Sequence, residues 1–572
     1  MIEARSAGVP KLIRSRLFWI LTAAFLLRIV GLNFGLPFIY HQDEAIVVNH
    51  AMAIGVQGWN THTYLPPQFA AYFLFFVYAA QYLLGSALGI FKSASHFGAT
   101  FLNDPSWQYI LGRLTLGVVF GTATVAVVYR VGRAFFSRPV AEAAAFFLAL
   151  SLLHVQHSHY IYVDIPLTFA CTLFFFYLFK CLENPSSNNA LLTGVFLGWS
   201  ISIKYTAVYF SPAVPLAVFF LAGNGVALQK KITAVLLSSL AAVCVYAVVS
   251  PYTFLDWENF RAQVFSQSQS RGYVGPYHHL TYSLLNGTGF SFLVLVFFGS
   301  VIGFFKSAKT TFLVVFTLLI YYWVNVYFSQ PFARYMMPLL PLLCLLAGVG
   351  LVAVLGQVRS KFLKILFVTA VAAELLVPSI YSDWLLTRQD TRTEALAWVE
   401  KNIPVGSVIA IDNRFFAPPL AQTRAQIEDK MRYLEGDPNQ KSKRTRLELL
   451  LKSETLKKSY EIHTLKPAGE EDGPDFLFAR PFVRADWPSL EKIGTQYLIF
   501  NYAQAPAALH EFKDSIAGRL KLLTVFSPYH DPAKKKMTDE FGSTAAPHAL
   551  EELFSRRRLG PYLEIYGFEP SR

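Results

Sequence analysis

Long apolar runs fill the first two-thirds of the chain, and short polar segments separate them. Because a helix needs about 20 apolar residues to cross roughly 30 Å of hydrocarbon, such runs predict transmembrane helices. About eleven spans are expected, near 17–37, 107–135, 139–157, 164–181, 188–203, 205–222, 232–255, 289–305, 311–329, 335–356 and 361–380. The pattern changes near Ser382, so we predict a transmembrane domain over 1–381 and a water-soluble domain over 382–572.

The basic loops decide whether a twelfth apolar run, 69–91, also crosses the bilayer. If it does not, the basic clusters at the N-terminus, 130–138, 230–231, 306–309 and 359–364 all fall on one side. The positive-inside rule makes that side cytoplasmic. We therefore expect 69–91 to lie along the outer interface or to re-enter the membrane, within a long first loop, 38–107. The chain is then a multi-pass cell-membrane protein with a cytoplasmic N-terminus and an extracytoplasmic C-terminal domain.

The C-terminal region alternates helical and strand patterns, which predicts a small α/β domain. Helices are expected at 393–401 and 447–458. Strands are expected at 407–412, 497–502, 520–526 and 562–568, and loops at 413–446 and 464–488.

Composition agrees with a membrane protein and narrows the partners. Hydrophobic residues make up 54% of the chain, charged residues 15%, and the mean hydropathy is +0.38. The net charge of +13 comes largely from short loops between apolar runs, so it indicates anionic lipid headgroups and not nucleic acid. The four cysteines lie in or beside apolar runs and have no CxxC spacing, which excludes a zinc signature or disulfide framework.

Charged side chains near the predicted outer ends of the spans are the candidates for chemistry, because an ionisable group at membrane depth is costly and usually functional. They are three acids and three bases: Asp43, Glu44, Asp164, Arg113, Lys204 and Arg334. Acids can activate a hydroxyl group or hold a metal, and bases can hold a phosphate. Helix caps, ion pairs and membrane anchors remain the alternative for each one taken alone.

Several motifs on this face resemble one known family. They are Asp43-Glu44 after the first span, His62 to Pro67, Leu111 to Leu114, Tyr162 to Pro166, Ser202 to Thr206 and Ala333 to Pro341. Together they resemble the polyprenyl-phosphate-dependent glycosyltransferases of the GT-C fold, and in particular the protein O-mannosyltransferases and the bacterial aminoarabinose transferases. The resemblance spans roughly residues 17–411. It departs from the family pattern at Gln42, where proline or a similar residue is usual.

The resemblance implies an inverting transfer of one sugar from a polyprenyl-phosphate carrier to a protein, lipid or glycan acceptor. Asp43 would then be the general base, and Glu44 would support it or help to bind the acceptor or a metal. Asp164 would be a second acid that acts through its neighbours or orients the acceptor. The lipid phosphate would be held by Arg113, Lys204 and Arg334.

The resemblance and the loop positions also make His62, Tyr64 and His159 candidates for substrate binding. The sequence assigns no cofactor, and a divalent metal held by Asp43 and Glu44 stays open. A transporter or lipid flippase without transferase chemistry is the main alternative, although no internal repeat supports it. An oligosaccharide ligase or oligosaccharyltransferase on the same scaffold is a second alternative.

Overall fold

The computed structural model describes residues 15–223, 225–269, 275–328, 331–413, 416–435, 441–452, 454–467, 481–502, 507–535 and 549–568. The helices of the apolar part are α1 (Arg16–Ile29), α2 (Gln42–Gln57), α3 (Phe69–Ala87), α4 (Ala94–Asn103), α5 (Ser106–Gly112), α6 (Phe120–Phe135), α7 (Arg138–Leu150), α8 (Leu152–His157), α9 (Asp164–Glu183), α10 (Ser187–Ile203), α11 (Ala213–Pro215), α12 (Leu228–Val249), α13 (Tyr252–Leu255), α14 (Trp257–Gln269), α15 (Leu285–Thr288), α16 (Phe290–Phe328), α17 (Leu340–Gln357) and α18 (Lys361–Leu386). Short π or 3₁₀ segments join several of them, at Arg113–Val119, Tyr205–Phe210, Leu216–Leu221, His279–Leu284 and Ala333–Leu339.

The apolar helices make this chain a multi-pass membrane protein. Within the described residues, seven helices are long and apolar enough to cross a bilayer: Phe69–Ala87, Ser106–Phe135, Asp164–Glu183, Leu228–Val249, Phe290–Tyr327, Ala333–Gln357 and Lys361–Asn402. Several other predicted spans correspond to shorter apolar helices, including α1, α7 and α10. Because Phe69–Ala87 has the length and composition of a span, its expected interfacial position stays a prediction. The expected number of eleven spans stays a prediction as well.

One long helix contains two of the predicted spans. The backbone of Ser307 is non-helical inside α16, with φ −151° and ψ 63°. A Cβ added to Gly303 would lie 2.7 Å from Oγ1 of Thr311, although eight residues of straight helix would rise about 12 Å. The chain therefore reverses at Ser307, between the runs that predicted separate spans.

Glycines let the apolar helices pack backbone against backbone. A Cβ at Gly194 or Gly198 of α10 would lie 2.1 or 2.3 Å from carbonyl oxygens of α12. A Cβ at Gly299 of α16 would lie 1.8 Å from the Leu346 carbonyl oxygen of α17. Small residues at such crossings allow close van der Waals packing where lipid supplies little hydrophobic driving force between helices.

The C-terminal domain is built on one mixed sheet. Its helices are α19 (Thr391–Asn402), α20 (Arg424–Tyr433), α21 (Lys441–Leu451), α22 (Trp487–Lys492), α23 (Ala507–Ser515) and α24 (Ala549–Ser555). Its strands are β1 (Val408–Ile411), β2 (Ala421–Gln422), β3 (Ser459–Lys466), β4 (Phe482–Arg484), β5 (Tyr497–Asn501), β6 (Leu520–Phe526) and β7 (Leu563–Phe568). The strand order is β2-β3-β1-β5-β7-β6, and β4 also pairs with β3.

Helices cover both faces of this sheet because its strand residues alternate in direction. Ile409 and Ile411 of β1 pack with α19, while Ala410 between them packs with α22 and α23 on the other face. Strands β1 to β5 are parallel, and β7 runs antiparallel to β5 and β6. Apolar runs buried on two faces are typical of parallel strands. The predicted combination of an apolar helical region and a C-terminal α/β region is confirmed.

The strands predicted at 407–412, 497–502, 520–526 and 562–568 are present as β1, β5, β6 and β7. The prediction of loop over 413–446 is wrong, since it contains β2, α20 and the first part of α21. The segment 447–458 starts inside α21, continues as a 3₁₀ turn at Glu454–Lys457, and then gives way to β3. Of the predicted loop 464–488, residues 468–480 lie outside the described ranges, and the remainder includes β4.

The C-terminal domain rests on the segment that follows α1. The hydroxyl groups of Tyr40 and Thr393 are 2.7 Å apart, and the Arg392 guanidinium lies 3.9 Å from the centre of the Tyr40 ring. Gly31, with φ +81°, lies against Leu386 at the end of α18, where an added Cβ would be 2.5 Å from the Leu386 Cβ. The domain therefore sits at the end of the helical region that carries the first loop.

Candidate active site

The acidic pair lies in the first turn of α2, where carboxylates favour the positive end of the helix dipole. Its two members point in different directions, because successive helical residues are about 100° apart around the axis. The side chain of Asp43 is 23% exposed, whereas that of Glu44 is fully buried. The structure therefore separates two residues that the sequence places together.

Glu44 is locked into a fully satisfied ion pair with Arg113. Both carboxylate oxygens of Glu44 accept hydrogen bonds from the guanidinium at 2.8 Å, and Oε1 also accepts from the Ile161 backbone N–H at 3.0 Å. The remaining Nη1 donates to the carbonyl oxygens of Leu32 and Phe34 at 2.8 and 2.9 Å. Arg113 has no exposed surface. This pair joins the end of α1, the first loop and the segment before α9, and it leaves no group free for a phosphate.

Three other charged residues meet beside Asp43, at the ends of separate helices. Asp164 begins α9, Lys204 follows α10, and Arg334 lies in the 3₁₀ turn before α17. Lys204 Nζ is 2.7 Å from Asp164 Oδ1. Arg334 is 3.3 Å from Asp43 through Nη2 and 3.6 Å from Asp164 through Nε. We call these four residues, Asp43, Asp164, Lys204 and Arg334, the charged cluster.

Aromatic rings hold the two cations of the charged cluster in place. Lys204 Nζ lies 3.8 Å from the centre of the Tyr335 ring. The Arg334 guanidinium lies 4.2 Å from the Phe332 ring centre and 5.4 Å from that of Tyr162. Such cation–π contacts hold a cation in place without neutralising its charge, whereas an ion pair with a carboxylate neutralises it. The aromatic rings were missed as site residues, although Tyr162 and Tyr335 stand two positions and one position from the acidic and basic residues of the quoted motifs.

The charged cluster differs from the Glu44–Arg113 pair in how many of its polar atoms have hydrogen-bond partners. Arg334 Nε and Asp164 Oδ2 are buried without a hydrogen-bond partner among the described residues, and the 3.6 Å between them is too long for one. A buried polar group without a partner is costly, so each such group calls for an explanation, and a bound ligand is one of them. The charged cluster has capacity for a ligand that the neighbouring pair lacks.

Asp43 is the accessible carboxylate of the charged cluster. Burial raises the pKa of its side chain above the ordinary value of 3.8, and the Arg334 cation opposes that rise. A raised pKa increases the affinity of the carboxylate for a proton, which is the property a general base needs.

His62 and Tyr64 belong to a separate network on the first loop. Asp256, which precedes α14, accepts hydrogen bonds from the Tyr64 hydroxyl at 2.7 Å and from Asn60 at 3.0 Å, and its Oδ2 is 2.9 Å from Nδ1 of His62. Burial raises the pKa of Asp256, but these hydrogen bonds outweigh it and hold the pKa at about 2. The Tyr205 hydroxyl donates to the Tyr64 carbonyl oxygen. The network fixes the first loop and does not touch Asp43.

His159 is also separated from the charged cluster. It is fully buried, with Nδ1 at 3.0 Å from the Val155 carbonyl oxygen and Nε2 at 2.9 Å from that of Val30. Asp383 at the end of α18 lies 3.7 Å from Nε2. Both ring nitrogens therefore face protein groups, at the junction between the helical region and the C-terminal domain.

The acidic pair does not offer the donor set of a metal site. Both oxygens of Glu44 are taken by Arg113, and Asp43 faces the cation Arg334. Across the described ranges, no three His, Cys, Asp or Glu side chains come together in a way that could hold an ion. Divalent metals need several converging oxygen or nitrogen ligands, so the residues present do not fit one.

Comparisons with known proteins bear on this arrangement of helices and charges. The sequence profile of the family described as dolichyl-phosphate-mannose-protein mannosyltransferase matches residues 97–252, the segment that contains Arg113, Asp164 and Lys204. The structure of apo ArnT from Cupriavidus metallidurans matches 89% of this chain and 95% of its own, with 13% identity and a TM-score of 0.51. This chain has the GT-C fold. The predicted resemblance to the O-mannosyltransferases and the aminoarabinose transferases is confirmed.

Two further GT-C structures align less well. ArnT bound to undecaprenyl phosphate gives 12% identity and a TM-score of 0.48, over 96% of this chain and 97% of that one. The oligosaccharyltransferase AglB from Archaeoglobus fulgidus, in complex with an inhibitory peptide and a dolichol-phosphate, gives 9% identity and a TM-score of 0.43 over 97% and 89%. No curated protein sequence matches the chain.

Proposed function

We propose that this GT-C protein is a membrane glycosyltransferase that moves a single sugar from a polyprenyl-phosphate donor to an acceptor hydroxyl group. The charged cluster carries the proposal, because it places one accessible carboxylate, Asp43, beside the cation Arg334, whose buried Nε has no hydrogen-bond partner among the described residues. The description of the matching family names a dolichyl-phosphate donor, which supports a donor of this class.

In the proposed reaction the acceptor oxygen attacks the anomeric carbon of the sugar. The Asp43 carboxylate takes the proton of the acceptor hydroxyl group, so the new carbon–oxygen bond forms without a charged ether. The bond between the anomeric carbon and the phosphate oxygen breaks, and its electron pair leaves with the polyprenyl phosphate. A single displacement of this kind inverts the anomeric configuration.

Lys204 and Arg334 would stabilise the departing phosphate. Negative charge grows on the leaving oxygen during the displacement, and preorganised cations lower the barrier most where that charge develops. Asp164 touches both cations and would position them for the phosphate.

Glu44, Arg113 and the first-loop residues would serve the site indirectly. The buried Glu44–Arg113 pair fixes the turn that presents Asp43, since the two acids are adjacent in α2. His62 and Tyr64 would hold the first loop on α14 through Asp256. His159 would join the segment after α8 to the end of α18.

A transporter would need its charged residues along a path through the bilayer. Here the acidic and basic residues gather where helices begin or end, which favours chemistry at one membrane surface. By the positive-inside rule that surface would be the extracytoplasmic one.

The test is release of polyprenyl phosphate from a single-sugar polyprenyl-phosphate donor by the purified full-length protein. We expect release by the wild type and at least a hundredfold slower release by Asp43→Asn, since general-base catalysis contributes about 10²–10⁴-fold. Asp514→Asn is the matched control, because Asp514 is exposed on α23 in the C-terminal domain. Wild-type release by Asp43→Asn would overturn the assignment of the base, and no release by the wild type with any sugar donor would overturn the function.

A further inference from the structure

The short segment between α8 and α9 has a fixed position in the helical region. We call residues 158–163 the bridging segment. A Cβ added to Gly117 would lie 2.0 Å from the carbonyl oxygen of Ser158, so the segment packs directly against the π-helical turn Arg113–Val119. Every residue of the segment except Tyr162 is buried. Close packing of this kind leaves the backbone little room to shift.

The bridging segment contacts both neighbours of the proposed catalytic base. The Ile161 N–H donates to Glu44 Oε1 at 3.0 Å. The ring of Tyr160 stacks on the ring of His41, with centroids 4.2 Å apart and planes 21° from parallel. His41 and Glu44 stand on either side of Asp43 in the sequence. Two adjacent residues of one fixed segment therefore hold the chain before and after Asp43.

The stack takes over a task that a capping side chain usually performs. His41 is the N-cap residue of α2, and its carbonyl oxygen accepts from the Glu44 N–H at 3.3 Å. Within the described structure, its imidazole does not accept a hydrogen bond from the first turn, as a capping side chain would. Stacked rings add to stability beyond the area that they bury. The Tyr160 ring therefore fixes the direction in which the chain enters α2.

The C-terminal domain contacts the same stack. Leu559, in the turn before β7, packs with Tyr160 in one apolar cluster. The Thr391 N–H donates to the Leu559 carbonyl oxygen at 3.0 Å, which ties this turn to the start of α19. In the same part of α19, Thr393 contacts the hydroxyl group of Tyr40. The domain therefore holds both the stacking ring and the residue that precedes the stacked histidine.

We propose that Tyr160 is a positioning residue for the transfer reaction, which acts through His41 to aim the Asp43 carboxylate at the acceptor hydroxyl group. The proposal rests on the proposed function, because the attack on the sugar is the step that needs an aimed base. Leu559 makes the C-terminal domain part of this arrangement. The domain would then contribute to turnover without placing a side chain among the reacting atoms.

Steady-state release of polyprenyl phosphate by the purified full-length protein tests the proposal. Tyr160→Leu keeps an apolar side chain but removes the stacking ring. We expect it to lower kcat about ten- to a hundredfold, because a misplacement of about 1 Å can cost about a hundredfold in rate. The donor KM should stay unchanged, since Lys204 and Arg334 keep their contacts. Tyr160→Phe keeps the ring and should retain most of kcat.

A double variant shows whether the effect passes through the base. If Tyr160 acts only by aiming Asp43, Tyr160→Leu should cause no further loss of kcat when Asp43→Asn is already present. A residue that acts independently would lower kcat by the same factor in both backgrounds. A defect in packing alone would behave in this second way.

Amide hydrogen exchange of the full-length protein tests the stack without any turnover. We expect the start of α2 to exchange about two- to tenfold faster in Tyr160→Leu, the factor that corresponds to the loss of an aromatic pair. Leu559→Ala should change this exchange in the same direction. Phe147→Leu is the matched control, because it removes a fully buried ring whose ring partners among the described residues are Phe146 and Phe292. It should leave kcat and the exchange of α2 unchanged.

The outcomes separate this proposal from the proposed function. Wild-type kcat or wild-type exchange of α2 in Tyr160→Leu would overturn the positioning role. Equal losses in Tyr160→Leu and Phe147→Leu, or a further loss in the Asp43→Asn background, would overturn it as well. If the wild type releases no polyprenyl phosphate but the exchange of α2 responds as expected, the proposed function fails and the role of the stack in holding α2 stands.

Discussion

Replacing Glu44 with glutamine tests whether this acid acts in the reaction or in the fold. The change keeps the shape of the side chain but removes its charge, and Arg113 then remains buried as an unpaired cation. Both side chains have zero exposure, and the guanidinium has two contacts to Glu44 at 2.8 Å. Breaking a buried ion pair by removing one partner costs about 3–5 kcal/mol. Loss of the bond from the Ile161 N–H adds to this only if the new amide turns away.

The assay is unfolding of the full-length protein in detergent, followed by tryptophan fluorescence. We expect Glu44→Gln to lower the free energy of unfolding by about 3–5 kcal/mol, and Asp43→Asn to change it by only about 1 kcal/mol. The folded fraction of Glu44→Gln should still release polyprenyl phosphate. The double variant Glu44→Gln/Arg113→Met should lose less free energy of unfolding than the sum of the losses in the two single variants. Each single change leaves the charge of the remaining residue unpaired, and the double change does not.

The opposite pattern would refute the structural role. Suppose that Glu44→Gln has the free energy of unfolding of the wild type but has lost turnover. Glu44 would then act on the substrate, and its main role would not be to neutralise Arg113.

Three further predictions concern the charged cluster and the C-terminal domain. Lys204→Met should weaken donor binding about tenfold or more and leave Asp43 able to act, which a KM measured for donor and acceptor separately would show. Turnover should fall on the acid side as pH drops through the raised pKa of Asp43, and this limb should lie above pH 3.8 and disappear in Asp43→Asn. Burial raises the pKa of Glu564, but its hydrogen bonds, including those from Tyr566 and Lys535, outweigh it and hold the pKa at about 2. Its contribution to stability should therefore be complete above about pH 4.5, the ordinary value, and be lost as pH falls toward 2, and thermal unfolding of Glu564→Gln should lack this dependence.

The segment between β2 and β3 shows where hydrophobic patterns in the sequence fail to predict secondary structure. The segment 413–446 is rich in charged and polar residues, which predicts a loop, but it contains α20 and the first part of α21. Each of these helices buries a few apolar side chains in a small core, so neither has the broad apolar stripe that a pattern detects.

The acidic pair shows the same limit at the level of single residues. Adjacent carboxylates look equivalent in the sequence, and the resemblance gives both a place in the site. Their roles depend on which helix each one faces, and Arg113 from a distant segment decides this for Glu44. A pairing across 69 residues leaves no local periodicity to find.

By itself, the sequence determined the apolar helices, the C-terminal α/β region and the candidates Asp43, Asp164, Lys204 and Arg334, because length, periodicity and helix ends are local properties of the chain. Tertiary structure alone decided which charges meet. Helix packing brought Lys204 and Arg334 to Asp164 with incomplete contacts, and it completed the contacts of Glu44 with Arg113. The energy of a buried charge depends on its partners in space, and those partners come from segments that the order of residues does not connect.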